Sequence, residues 1–531
     1  LIFVFINSTN YIIKKELTMK RRAFLQNIAA TGIVLPIAMG FPSVRAFAKA
    51  PEGSPFARIT AANKDRICII LRLAGGNDGL NTVIPYTNQD YYTARAEGNI
   101  AIPAAQVVKL PDSNTLGLHP ALAPLLPLYK EKKMTIVQNV GYANQNLSHF
   151  RSTDIWLSGS DADVYSNSGW FAKYLEQQYP DYPATLPNDP FAIELGTYLS
   201  TTLIGKNNNM GVAVGASDFI PGLPNNDPTA QTHAGDEEEY VRQIMRQTNI
   251  FINSIIAATL KQTTNKVAYP AGNQLADGLK AISRIIAAGL TTQMYIINIG
   301  GYDTHSDQLN GQNNLHKQLA DAVLAFQRDL EAFGTDKKVC LMTISEFGRR
   351  IVSNGTGTDH GSAAPMFVIG TGVKGGIIGT DPVLTDVEGP GNLKMKYDFR
   401  QIYASLLGQW YGASEAEITP NALPRHFEQL PVFQTTTAVD EFETDSSLLS
   451  LGQNYPNPAQ TQTTIPMEGI LSGMDAQFTL TAIDGQEIVS QKIMPGQKSV
   501  TLDTRQLPSG TYIYSLKAGK SRRSQTMVIE R

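Results

Sequence analysis

The sequence predicts an α/β domain on a doubly wound, largely parallel sheet, followed by a small C-terminal all-β sandwich. Three observations predict this. Between residues 50 and 430, short apolar β-rich runs alternate with longer segments of helical period, the pattern of parallel strands joined by crossover helices. The composition then turns polar and acidic in PVFQTTTAVDEFETDSS, residues 431–447, which reads as a linker. From residue 448 to 531, the β patterns QFTLTAI, EIVSQKI, KSVTLD, TYIYSLKA and SQTMVIE are separated by turn signals at Asp484-Gly485 and Pro508-Ser509-Gly510.

Taken in chain order, residues 1–18 lie upstream of Met19 and are read as an extension outside the fold. Residues 19–48 read as a signal peptide: a basic start, a weakly apolar stretch broken by Gly32, Pro36 and Gly40, and Ala46-Phe47-Ala48 as a cleavage site. That stretch is too short and interrupted for a membrane span, so no transmembrane segment is expected in the mature chain. The clearest strands of the α/β domain are Arg66 to Leu73, Thr135 to Val140, Met294 to Ile299, Val339 to Ile344 and Met366 to Ile369. Asn313 to Phe333 places Leu315, Leu319, Val323, Phe326, Leu330 and Phe333 on one helical face, predicting a crossover helix over the sheet. Tyr179 to Glu239 is rich in Pro, Asn, Asp and Gly and reads as an irregular insertion or lid.

The 531 residues exceed one ordinary domain, and an apolar content of 42% suffices for a sizeable core. A formal charge of -3 without a long basic block excludes an electrostatic footprint for nucleic acid. Cys68 and Cys340 sit inside apolar runs and read as buried free thiols, so disulfides do not hold the protein together.

The acids and histidines fall in loops that follow the predicted strands, where an open parallel sheet forms its ligand crevice. Leu73 runs into Ala74-Gly75-Gly76-Asn77-Asp78-Gly79, Ile299 into Gly300-Gly301-Tyr302-Asp303-Thr304-His305, and Ile344 into Ser345-Glu346-Phe347-Gly348-Arg349. Thr358-Asp359-His360-Gly361 precedes the strand starting at Met366. Any one of these acids alone reads as a turn former or helix cap. Together, carboxylates and imidazoles on one rim form a mixed oxygen and nitrogen site suited to a divalent metal, with zinc, manganese, magnesium and calcium not distinguished. The expected metal set is Asp78, Asp303, His305, Glu346, Asp359 and His360. Ser148, in Asn146-Leu147-Ser148-His149-Phe150-Arg151, sits before a predicted helix, where oriented backbone N–H groups and a metal would activate its hydroxyl. Its alternative is an N-cap serine beside a structural histidine. Ser148 and His149 are therefore expected at the chemistry, and Arg151 and Arg349 as grips for an anionic oxygen, with salt-bridge roles as their alternative. His119, His233, His316 and His426 read as structural or exposed.

The C-terminal run Asn454-Tyr455-Pro456-Asn457-Pro458, then Asp484-Gly485, then Leu507-Pro508-Ser509-Gly510-Thr511-Tyr512, resembles the C-terminal sorting domain of the type IX (Por) secretion system of the Bacteroidetes group. Arg21-Arg22-Ala23-Phe24-Leu25 resembles a twin-arginine motif. These resemblances imply the twin-arginine and type IX secretion machineries as partners, with passage through the periplasm to the cell surface or the exterior. LRLAGGNDGLNTVIP, LSHFRSTDIW, GGYDTH, SEFGRR, GTDHGSAAP and DFRQIYASLL resemble the exported bacterial family called domain of unknown function 1501, itself similar to the alkaline phosphatase and sulfatase superfamily. The resemblance implies an alkaline-phosphatase-like fold, with Asp78 at a first-strand metal position, Ser148 as nucleophile, Asp303 and His305 on one metal, and Glu346 and His360 at later ligand positions. It departs from the superfamily at Glu346-Phe347, where Asp-His is usual, and at Asp303-x-His305, where the spacing is longer; one metal or a degenerate pocket are the outcomes left. The expected function is a metal-dependent hydrolase of small anionic phosphate or sulfate esters. Its alternative is a non-catalytic surface binding or structural protein on the same fold.

Overall fold

The computed structural model describes residues 65–215, 232–434, 450–468, 476–482, 486–494, 496–518 and 521–530. The signal peptide expected at residues 19–48 and the turn expected at Asp484-Gly485 lie outside these residues. The described residues fall into two units, divided after Gln434.

The larger unit is built on one nine-stranded sheet. Its strands are β1 (Ile67–Leu73), β2 (Met134–Gly141), β3 (Ala192–Leu195), β4 (Val212–Val214), β5 (Met294–Ile299), β6 (Val339–Ile344), β7 (Ala364–Ile369), β8 (Gly376–Ile378) and β9 (Tyr397–Asp398). They run in the order β8-β2-β7-β6-β1-β5-β3-β4, with β9 beside β2 beyond the end of β8. Neighbours are parallel except β7, which is antiparallel to both β2 and β6. Residues of β2 and β6 are buried consecutively rather than alternately, so both sheet faces are covered, as parallel topology requires. The free thiols Cys68 and Cys340 are register partners on β1 and β6, buried inside this layer.

Helices cover the sheet because their apolar residues recur at helical spacing. They are α1 (His149–Ser158), α2 (Trp170–Gln178), α3 (His233–Lys261), α4 (Gln274–Ala287), α5 (Gln308–Phe333) and α6 (Phe399–Ser405). On α5, Leu319, Val323, Phe326 and Leu330 are buried, each contributing about 1.5–3 kcal/mol of hydrophobic stabilisation. The helix starts at Gln308, ahead of the Asn313 expected from the apolar stripe. Its first turns bury Gln308 and Gln312 instead, and polar residues on a buried face leave no hydrophobic periodicity to read. Trp156 of α1 stacks on Phe399 of α6 with ring centroids 4.3 Å apart, and Trp170 of α2 stacks on Tyr403 at 4.2 Å. Asp398 and Gln401 form a capping box that starts α6.

One expectation is corrected. The Tyr179 to Glu239 stretch is not wholly an irregular insertion: it supplies β3 and β4, which extend the main sheet in parallel beyond β5, and α3 begins at His233. Strands of four and three residues, set among Pro, Asn and Gly, are too short to show a period.

The smaller unit is antiparallel. Its strands are β10 (Ser450–Leu451), β11 (Gln462–Glu468), β12 (Ala476–Ala482), β13 (Glu487–Ile493), β14 (Ser499–Asp503), β15 (Gly510–Ala518) and β16 (Ser521–Ile529). They form a three-stranded sheet β10-β11-β14 and a four-stranded sheet β13-β12-β15-β16, closed over Ile465, Phe478, Leu480, Tyr514, Leu516 and Met527. Asn454 is buried here. Its backbone N–H donates to the Tyr514 hydroxyl, and its side-chain amide donates to the Pro456 carbonyl and the Thr463 hydroxyl. The motif at residues 454–458 is thus a structural anchor. No helix among the described residues is long and apolar enough to cross a membrane.

His119 and His316 are buried side by side in the larger unit, with ring centroids 5.1 Å apart. Burial pushes His119 down to about 4 and His316 well below the ordinary histidine range. Unfolding returns both to about 6.5, so the unfolded chain binds the extra protons and acid favours it. The stabilisation from keeping both rings neutral is complete above about pH 6.5 and is lost as pH falls towards 4, by at most roughly 1.4 kcal/mol per pH unit for each ring. Chemical denaturation at stepped pH should show this slope, and a His316→Gln variant should flatten it.

Candidate metal centre

In the sheet, β6, β1 and β5 are adjacent and parallel, so their carboxyl ends share one edge. The antiparallel β7 lies between β6 and β2, so β2 ends and β7 begins at that same edge. The loops meet closely there. Gly75 has φ 122°, and a Cβ on it would lie 2.3 Å from the Asp303 backbone nitrogen, so only glycine fits.

Arg349 ties these loops together from below. Fully buried, it donates to the carbonyls of Gly76 (2.8 Å), Thr358 (2.9 Å), Gly75 (2.5 Å) and Tyr302 (3.1 Å), and to Asp303 Oδ1 (2.6 Å). Burial pushes the Asp303 carboxyl up, but the Arg349 guanidinium outweighs it and holds the group down at about 2. Asp303 is therefore a carboxylate at any working pH.

Three imidazoles converge on it. His305 Nε2 lies 3.1 Å and His360 Nε2 3.2 Å from Asp303 Oδ1, and His149 Nε2 lies 3.4 Å from Oδ2. His305 and His360 face each other Nε2 to Nε2 at 3.0 Å. The far side of each ring sets its tautomer. His360 Nδ1 lies 2.8 Å from the Leu147 carbonyl, His149 Nδ1 3.0 Å from Glu346 Oε1, and His305 Nδ1 3.5 Å from Asp359 Oδ1. Carbonyls and carboxylates only accept, so with a cation among the rings each would carry its proton on Nδ1 and turn an Nε2 lone pair inward. Lone pairs packed at about 3 Å repel unless a proton or cation lies among them. The donor set fits a bound divalent cation, and ligand atoms of His149, Asp303 and His360 all lie within 4.8 Å of one another. Burial also shifts His360 downward, which favours its neutral form.

Of the residues singled out in the sequence, Asp303, His305, His360 and His149 meet here, with His149 in a ligand's position rather than only beside the nucleophile. Glu346 and Asp359 stand behind imidazoles. Glu346 Oε1 also accepts the Gly75 N–H at 2.8 Å, while its buried Oε2 has no partner among the described residues. Phe347 packs over the site, 4.3 Å from the His360 ring and 5.0 Å from His149, and supplies an apolar wall instead of a ligand. Ser148 is exposed at the start of α1, and its hydroxyl caps no backbone amide.

Three expectations are corrected. Asp78 is held elsewhere: fully buried, it pairs with both terminal nitrogens of Arg95 and accepts from Gln308 and the Leu80 N–H, which uses its lone pairs. Arg151 does not face the site; it donates to the carbonyls of Asp161, Ala162 and Val164 and stacks 3.9 Å from the Tyr165 ring. Arg349 positions Asp303 and offers an incoming anion nothing. His149 was recognisable as a third imidazole, since LSHF follows a strand ending at this edge. Nothing local to Asp78 pointed to Arg95, far along the chain.

Residues 225–418 match the family described as Protein of unknown function (DUF1501), and residues 453–530 match the Secretion system C-terminal sorting domain. The sorting domain marks the chain for export by type IX secretion to the cell surface or extracellular space. No curated protein matches the chain. Among solved structures, a protein in the alkaline phosphatase superfamily from Vibrio parahaemolyticus is 10% identical, with a TM-score of 0.33, covering 83% of this chain and 79% of its own. The PsFucS1 sulfatase from Pseudoalteromonas sp. is 11% identical, with a TM-score of 0.31, covering 86% and 88%. The lipoteichoic acid synthase LtaP from Listeria monocytogenes is 9% identical, with a TM-score of 0.32, covering 81% and 87%. At these scores the likeness assigns no activity to this chain.

Proposed function

We propose that this chain, a DUF1501 region joined to a sorting domain, is an exported hydrolase of phosphate or sulfate esters with a single divalent metal. The observation that carries the reading is the convergence of the Nε2 atoms of His149, His305 and His360 on the ionised Asp303. Three nitrogens and one carboxylate suit zinc or another borderline transition ion better than magnesium or calcium, which favour oxygen. When bound, such an ion supplies Lewis acidity towards an ester oxygen. The chain's own residues do the rest. Glu346, Asp359 and the Leu147 carbonyl fix the tautomers and orientations of the ligands. Arg349 keeps Asp303 ionised and in place, and Phe347 excludes water from one side. Ser148 presents its hydroxyl at the N-terminus of α1, where unpaired helical N–H groups favour negative charge on the attacking oxygen and the ester. Export in the folded, loaded state through the twin-arginine machinery fits the Arg21-Arg22 motif.

A non-catalytic binding protein is the second reading, favoured by one observation: Arg151 and Arg349, the cations expected to grip the ester, are engaged internally. The two separate in one experiment. The purified full chain, loaded with zinc or manganese, is assayed against phosphomonoesters, phosphodiesters and sulfate esters. Turnover that Ser148→Ala lowers about a thousandfold or more, with metal retained, supports the hydrolase. Metal bound without turnover supports the binding protein.

A further inference from the structure

The buried arginines of the larger unit are held by internal acceptors. Arg95 pairs with Asp78, Arg349 with Asp303, and Arg400 with Asp398 and Asp161. Arg72, only partly buried, has no such acceptor. It lies next to last in the central strand β1, its guanidinium makes no hydrogen bond or ion pair with any described residue, and its Nε is shut off from solvent without an acceptor. Its register partner on β5 is Asn298, so the two side chains share a sheet face. Asn298 is exposed although its neighbours Ile297 and Ile299 are buried, and no described residue bonds its amide. An exposed residue inside an inner parallel strand means that the covering layer opens there. The glycines ending the same strands agree: a Cβ on Gly300, after β5, or on Gly196, after β3, would meet nothing within 4 Å. Glu194, two positions short of Asn298 in register and on the same face, is the carboxylate that attracts Arg72, without a hydrogen bond between them; its Oε2 accepts the Ser200 N–H at 2.6 Å.

We propose that this opening is an oxyanion-binding subsite, in which the Arg72 fork and the Asn298 amide hold a carboxylate, sulfate or phosphate group. Arginine presents paired N–H groups matched to two oxygens of such a group, and Asn298 adds a donor beside them. Glu194 offsets the Arg72 charge from its own side, so the anion enters from the side of Asn298. The subsite stands without the metal centre. On the metal-dependent reading, one ligand spans both, because Asn298 is five residues from Asp303 and at most about 17 Å of chain separates them. The substrate would then carry a second anionic group remote from the scissile ester.

The test is calorimetric titration of the metal-stripped full chain with sodium sulfate, phosphate and acetate, which separates tetrahedral from planar anions. Binding is expected to survive stripping and His360→Ala, and to weaken roughly tenfold or more in Arg72→Gln. Asn298→Ala, at an exposed position that leaves the fold intact, is expected to weaken it by a smaller factor. No heat with any of the three anions overturns the subsite, as does affinity unchanged in both variants. Binding that needs the metal and ignores Arg72→Gln would place the anion at the metal centre, overturning the subsite while leaving the hydrolase reading intact.

Discussion

Replacing His360 by alanine is expected to strip the metal from the protein and remove any ester hydrolysis with it. His360 contributes an inward lone pair, and its ring packs against both other imidazoles, 4.5 Å from His149 and 4.8 Å from His305. Losing it removes the ring that packs His149 and His305 in place, so the two nitrogens that remain no longer converge with Asp303 on one point. Glu346→Gln should act more mildly. The amide cannot anchor the His149 Nδ1 proton as a carboxylate does, and losses behind a ligating imidazole weaken metal binding by roughly ten- to a hundredfold. Competition with a chromogenic chelator ranks the variants. Metal affinity that is the same in wild type and His360→Ala would remove His360 from the ligand set.

Asp78→Ala is expected to do the opposite: destabilise the larger unit by about 3–5 kcal/mol while leaving the metal bound. Its carboxylate is the counter-ion of Arg95, and both side chains are fully shielded from water. Removing it leaves a guanidinium charge buried without compensation, and also frees the Gln308 amide at the start of α5. Urea denaturation measures the loss, and metal analysis of the same sample reads the site. Near-native stability together with lost metal would return Asp78 to the ligands.

These two variants mark where the sequence was readable. Strands β1, β2, β5, β6 and β7 were legible because each is a dense apolar run bounded by turn residues, and their order placed Asp303, Glu346 and His360 in loops of one edge. Their precise roles were not legible. A carboxylate in a Gly-rich loop reads the same whether it gathers imidazoles, as Asp303 does, or pairs with a buried arginine, as Asp78 does. An arginine beside such a loop reads as an anion grip, yet Arg349 is surrounded by carbonyls that only the folded backbone assembles. Glu346 and Asp359 share the ligands' chemistry and differ only in standing one shell further out. Arg72 and Asn298 carried no signal at all, since their pairing is a matter of register between strands far apart in the chain.

On the hydrolase reading, a single cation sits among His149, His305, His360 and Asp303. X-ray absorption on the zinc-loaded full chain tests it most directly. The expected first shell holds three imidazole nitrogens at about 2.0–2.1 Å and a carboxylate oxygen, with no second metal in the outer shell. A first shell with one imidazole or none, or with a metal–metal contact, would contradict it.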